Sequence, residues 1–258
     1  MEASILDLGG TGAKTYEELI KLILDVFSYS VIKDNYDHSM DEALNYVGKL
    51  LDSDPKQRYG QYSVFLKKLI RKFRELGISC YTGLLLTIDT KEKAEMFLQK
   101  AHITIRELVE FLSYLRNWVL PKRIYLSEFV EKENRDEAEL VKKLSEKNVR
   151  FSLDLFELGQ TKAERKNMSK ETDVPEEFLY ELLNKADFNR IPYCRGKCAI
   201  HYFNMGFKTL QQLANTSNEE IDSMFTEYQK RINRNMKSAL DPYHGSIIAK
   251  ALPKIVKH

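Results

Sequence analysis

The sequence predicts an all-α protein, and three observations carry that expectation. Apolar residues recur three and four apart through most of the chain, the spacing of one helix face. Several of these stretches open on Ser or Thr with Glu three residues later, a pairing in which each side chain satisfies an orphan backbone amide. With 11 Gly and 6 Pro in 258 residues, and many Leu, Lys and Glu, helix formers outweigh breakers.

Thr15 and Glu18 open the first helix, whose apolar stripe is Leu19, Ile20, Ile23, Leu24, Phe27 and Val31; residues 1–14 read as a frayed tail. Ser39 and Glu42 open a second, carrying Leu44, Val47, Leu50 and Leu51. A turn at Ser53-Asp54-Pro55 precedes a third helix, roughly Gln57 to Leu76, and Gly77 stands where a left-handed terminator is wanted. Ile78 to Ile88 is the one strand-like stretch. Thr104 and Glu107 open a helix through Leu108, Phe111, Leu112 and Leu115 toward Trp118, stopped by Pro121. Glu131 to Lys147, rich in both charge signs, reads as an exposed helix with i,i+4 pairs.

Composition narrows the class. Aliphatic and aromatic residues at 43% suit a folded chain, and the net charge of +2 hides local imbalance. Three cysteines, Cys80, Cys194 and Cys198, make no disulfide framework and fit a reducing compartment. MEASILDLGGTGAK has no basic start and no signal-length apolar run, and Leu19 to Ile32 is too short and charged to span a bilayer. A soluble cytoplasmic protein without a membrane segment is expected.

Sliding the chain by 71 residues exposes an internal repeat: Ile78 meets Val149, Thr90-Lys91 meets Thr161-Lys162, Phe97 meets Met168, Ile103 meets Val174, and Pro121 meets Pro192. The first copy lacks the hairpin and passes directly to Ile124-Tyr125-Leu126. From Asn189 to Ile221 the order is polar hairpin, helix, Gly-hydrophobic-x-Thr turn and capped helix, the order of a helix-hairpin-helix unit. Such units hold a phosphate at the second helix's N-terminus.

Leu153-Asp154-Leu155, Thr161, Arg165, Asp173-Val174-Pro175, and Asn184, Ala186, Asp187, Arg190 and Ile191 form an ordered set. With them, about residues 147–221 resemble a family of helix-hairpin-helix-like domains of unknown function found in bacteria and archaea. The resemblance implies a SAM-like, tandem helix-hairpin-helix fold and, by fold analogy, nucleic-acid binding. The chain departs from the family where Gly-hydrophobic-Gly is usual: Tyr193-Cys194-Arg195 stand there, and their side chains obstruct the approach of bare amides to a phosphate. Gly196, one place late, is positioned to rescue the turn, and Arg195 and Lys197 to supply side-chain contacts.

Other motifs have plainer readings. Gly9 to Thr15 has Ala13 where a P-loop needs Gly, so it reads as a leader. Cys194, Cys198 and His201 have ligand-type spacing but no fourth partner nearby, so a buried Cys198 and a surface-facing Cys194 are expected, with no metal or cofactor. No acid–base or nucleophile–base pair is evident, and Asp34, Asp37 and Asp41 read as a polar loop, so no enzyme is expected. Lys67, Arg71 and Arg74 share one helix face, either a phosphate-tracking stripe or an ordinary solvated surface. Tyr228 to His258 holds seven Lys or Arg and one acid, Asp241. It reads as a basic arm for a polyanion, or as a helix ended near Asp241-Pro242 with a docked tail.

The expected organisation is a helical bundle (1–76), a degenerate helix-hairpin-helix-like repeat (77–146), a second repeat (147–240) and a basic tail (241–258). The expected function is sequence-independent nucleic-acid binding through Arg195, Gly196 and Lys197, widened by Lys67, Arg71, Arg74, Lys230, Arg231 and Arg234. The alternative is a protein-interaction scaffold contacting its partner through Tyr202, Phe203 and Phe207.

Overall fold

The structure, a computed structural model, describes residues 13–53, 59–236 and 240–257. These residues form fifteen α-helices and no strand, only two isolated antiparallel bridges. The chain divides into two compact units, Met1–Pro121 and Lys122–His258. The first holds α1 (Tyr16–Phe27), α2 (Ser30–Tyr36), α3 (Met40–Val47), α4 (Gly60–Glu75), α5 (Tyr81–Thr87), α6 (Lys91–Ala101) and α7 (Ile105–Tyr114). The second holds α8 (Arg135–Glu146), α9 (Ser152–Leu158), α10 (Lys162–Thr172), α11 (Glu176–Phe188), α12 (Gly196–Met205), α13 (Leu210–Asn215), α14 (Asn218–Arg231) and α15 (Pro242–Ala251). Among the described residues no helix is long and apolar enough to cross a membrane.

The capping pairs at Ser39 and Thr104 form in both directions. At Thr15 only half forms: its hydroxyl accepts the Glu18 amide, while the Glu18 carboxylate turns to the Lys14 amide. Two expected elements differ. Ile78 to Ile88 is no strand; Tyr81, Leu84, Leu85 and Ile88, all fully buried, are spaced as one helix face, and α5 forms there. The charged stretch before Lys147 becomes α8, but it buries Val141 and Leu144, and its charges reach other segments. Lys143 pairs with Asp173 at 2.7 Å and Glu137 approaches Lys185 at 3.7 Å. The expected Asp54-Pro55 turn, the Gln57 helix start and most of the amino-terminal leader lie outside the described residues.

One local pattern occurs three times: a helix, a left-handed residue, a short helix, a capped helix, a second left-handed residue, a final helix. It runs through α4–α7, α8–α11 and α12–α15. The left-handed residues are Gly77 and His102, then Asn148 and Asp173, then Gly206 and Asn233. At five of these six an amide beyond the reversal reaches back five residues: Ile78 to Phe73, Ile103 to Leu98, Val149 to Leu144, Phe207 to Tyr202 and Arg234 to Gln229, at 3.0–3.3 Å. Thr90, Thr161 and Ser217 cap the fourth element of each copy. The first two copies keep one spacing: helices starting at 81, 91 and 105 return 71 residues later at 152, 162 and 176. The third copy breaks it: its helices start at 210, 218 and 242, closer together between the first two and farther apart between the last two.

A short segment ahead of each of the first two copies is stitched to that copy's first reversal. In the first unit Ser39 bridges Cys80 and the Met40 amide donates to the Ser79 carbonyl at 3.1 Å. In the second, Tyr125 bridges Phe151, and the Leu126 and Ser152 amides donate to Arg150 and Ile124 at 2.9 and 2.8 Å. The Ser152 hydroxyl adds a bond to the Lys122 carbonyl at 2.8 Å.

Each unit closes on an aromatic core. In the first, Phe73 meets Phe111 edge-on at 5.0 Å; in the second, Phe188 stacks on Tyr202 at 5.2 Å. The carboxyl-terminal stretch belongs to the second core. Rather than a helix ending near Asp241-Pro242, α15 begins there: Asp241 caps it, Pro242 takes its first position, and it packs on α13. Residues 252–257 then run as a strap held by two buried arginines. Arg190 binds Asp187 at 2.7 Å and the Pro253 carbonyl at 2.6 Å. Arg165 donates to the carbonyls of Gly159 and Gln160 at 3.0 and 2.9 Å and to Lys257 at 3.3 Å.

The turn before α12 is equally tight. A side-chain carbon added at Gly196 would stand 2.1 Å from the Glu128 carbonyl oxygen, so this glycine serves the chain's own packing.

Two stability predictions follow from these contacts. Arg190→Ala strands the Asp187 carboxylate in the interior and should cost about 3–5 kcal/mol in chemical denaturation. Gly196→Ala should cost at least about 1–3 kcal/mol, read as a fall in Tm of several degrees; an unchanged Tm would mean the Glu128 contact is absent.

Candidate nucleic-acid interface

The turn between α11 and α12 is built by Tyr193. Its φ of 64° supplies the left-handed step a glycine would normally supply, and the Cys194 amide closes the turn on Ile191 at 3.0 Å. Gly196 is not the turn residue; it is the first residue of α12 and is buried. The thiols invert the sequence expectation: Cys194 is buried and Cys198 half-buried. Burial holds the Cys194 thiol well above its usual range, with Cys198 beside it adding to the effect. Outward from this turn stand Tyr193, 65% exposed, and Arg195 and Lys197, both exposed. Arg195 caps α12 by backbone alone, so its guanidinium takes no part in the cap.

Lys197 and the end of α14 meet around His201. Its Nδ1 lies 2.6 Å from the Tyr228 hydroxyl, and the Arg231 guanidinium sits 5.3 Å over the Tyr228 ring while donating to the Asn204 carbonyl. Burial holds the His201 pKa below its usual value, with the charge of Arg234 next and that of Lys197 in the same direction, against the pull of Glu131. Lys197, Arg231 and Arg234 therefore share one neighbourhood, and Lys230 is exposed on the same helix.

Lys67, Arg71 and Arg74 belong to the first unit, on α4, and two of the three are engaged by acids. Lys67 pairs with Asp52, and Arg74 with Asp41 at 2.5 Å. Arg71 is exposed. Lys72, from the same helix, holds the last carbonyls of α6, Ala101 and His102, at 3.2 and 2.8 Å. This stripe is mostly spent on the fold. Of the three loop carboxylates, Asp37 accepts the Thr82 amide and hydroxyl, and Asp41 is the partner of Arg74.

Sequence reasoning missed a second part of the surface. The Arg123 guanidinium lies 3.7 Å over the Phe151 ring, and Tyr125, 58% exposed, sits 4.5 Å from that ring at a 38° tilt. Lys122 sits 5.2 Å over the Tyr193 ring. Arg150 is exposed beside Phe151. The Asp154 carboxylate at this place accepts the amides of Arg150 and Phe151, both at 2.8 Å, so backbone hydrogen bonds already hold it. Lys122-Arg123 and Arg150-Phe151 are visible dipeptides, but only the Tyr125–Phe151 bridge joins them.

The cleft beside the strap, lined by Asp187, Arg190, Leu210 and Leu252, offers about 100 Å³. Small-ligand pockets begin at about 300 Å³. Among the described residues no group of three or more His, Cys, Asp or Glu is placed to hold a metal.

Residues 136–242 match the model of a family described as a domain of unknown function, DUF4332. The match begins in α8 and ends at the first residue of α15, so it spans the second copy of the helical pattern and most of the third. No curated protein and no solved structure matches the chain.

Proposed function

We propose that this chain is a non-enzymatic protein that binds nucleic acid independently of sequence, through tandem helix-hairpin-helix-like units of the SAM-like kind. The observation that carries the reading is the placement of Lys197, Arg231 and Arg234 around His201, with Arg195 exposed at the start of α12 and Lys230 exposed on α14. Cations grouped in this way bind a phosphate backbone largely by releasing its counterions. The mode departs from that of glycine hairpins. Gly196 is turned against Glu128, so the phosphate is held by side-chain charge rather than by its bare amide.

The scaffold alternative draws less support from the geometry. Tyr202, Phe203 and Phe207, its expected contacts, are at most 9% exposed and pack the second core.

Arg195→Ala combined with Lys197→Ala should weaken binding to a fluorescent DNA duplex with an unchanged Tm. It should also flatten the slope of log affinity against log salt by about 2, one per lost phosphate contact. A slope equal to that of the unmodified protein would remove the turn from the interface.

A further inference from the structure

We propose that the second unit stacks the bases of a single-stranded nucleic acid on Tyr125 and Tyr193, with Arg123, Phe151 and Lys122 as their supports. This rests on the nucleic-acid reading above and narrows it to one class of strand. Tyr125 and Tyr193 are 58% and 65% exposed, and neither ring is needed to close the core. Each belongs to a cation–aromatic group, Arg123 over Phe151 at 3.7 Å and Lys122 over Tyr193 at 5.2 Å. Exposed rings flanked by positive charge suit a strand whose bases are free to leave their own stack. A duplex presents backbone and base edges instead.

The chain contains its own control for this reading. The first unit builds the same stitched bridge with Ser39 opposite Cys80, Asp37 two residues before the bridge, and Ser79 at the accepting carbonyl. In the second unit those places are taken by Tyr125, Phe151, Arg123 and Arg150. The backbone bonds are alike, 3.1 Å from Met40 to Ser79 and 2.9 Å from Leu126 to Arg150. The bridge residues of the first unit carry neither ring nor cation, so the bridge by itself does not require them in the second. A ligand with flat faces and negative charge gives them a use.

The two aromatic groups are close along the chain. Lys122, which supports Tyr193, and Tyr125 are three residues apart, at most about 10–11 Å when extended. Arg195 and Lys197, two and four residues after Tyr193, are exposed and supply charge for the phosphates of such a strand. Glu128, an exposed acid one turn beyond Tyr125, opposes the polyanion, a repulsion that added salt screens.

The test compares a labelled oligothymidylate with a duplex of matching length by fluorescence anisotropy. Tyr125→Ala with Tyr193→Ala should weaken single-strand binding about fivefold to a hundredfold and duplex binding much less. Tyr125→Phe with Tyr193→Phe should restore it, because stacking needs the ring and not the hydroxyl. If the alanine pair binds single strands as the unmodified protein does, while Arg195→Ala with Lys197→Ala weakens both substrates, stacking is overturned and phosphate binding stands. If the unmodified protein binds neither substrate at low salt, both readings are overturned.

Discussion

The fold depends on the way this chain reverses after its helices. A left-handed residue past a helix end lets the next amide reach back five residues, satisfying a carbonyl that would otherwise be orphaned and re-aiming the backbone in two steps. Glycine does this twice, at Gly77 and Gly206, and His102, Asn148 and Asn233 do it with side chains attached. Because the geometry is local, the same reversal can be written at each copy with different side chains attached.

That repetition separates what the backbone requires from what the side chains add. The reversal at Asn148 delivers Arg150, Phe151 and Ser152 to the segment starting at Lys122, and the bridge at Tyr125 fixes their register. The same reversal at Gly77 delivers Ser79 and Cys80 to Ser39. Like frames with unlike side chains place the difference between these two bridges in surface chemistry. The motif residues that carry the family resemblance fall on the other side of this division. Thr161 is a cap, and Arg165, Asp187 and Arg190 are buried in the fold, the two arginines tied to the carboxyl-terminal strap. Their pattern recognises a way of packing.

Helix positions were legible because caps and apolar spacing act within a few residues. Thr15, Ser39 and Thr104 each cap the helix that starts beside them. The 71-residue spacing was legible because the first two copies keep their helix starts in step, whereas the third changes the distances between its helices, most of all from α14 to α15. Of the candidate interface, Arg195 and Lys197 could be read beside a recognisable turn. Arg123, Tyr125 and Phe151 could not, since their grouping depends on a bridge across 26 residues between Tyr125 and Phe151. That Tyr193 itself supplies the positive φ of the turn could not be read either, because a residue's tolerance of that conformation is set by the turn around it.

By itself the sequence determined an all-helical chain, its caps and the spacing of its first two copies, since hydrogen bonds within a turn or two decide these. Only the tertiary structure decided which charges are spent and which remain outward. It gave Lys67 and Arg74 to acids, Arg165 and Arg190 to the strap, and left Arg195 and Lys197 exposed. The physical reason is that an ion pair or a buried guanidinium is a contact between distant parts of the chain. Local sequence carries the charge, and folding chooses its partner.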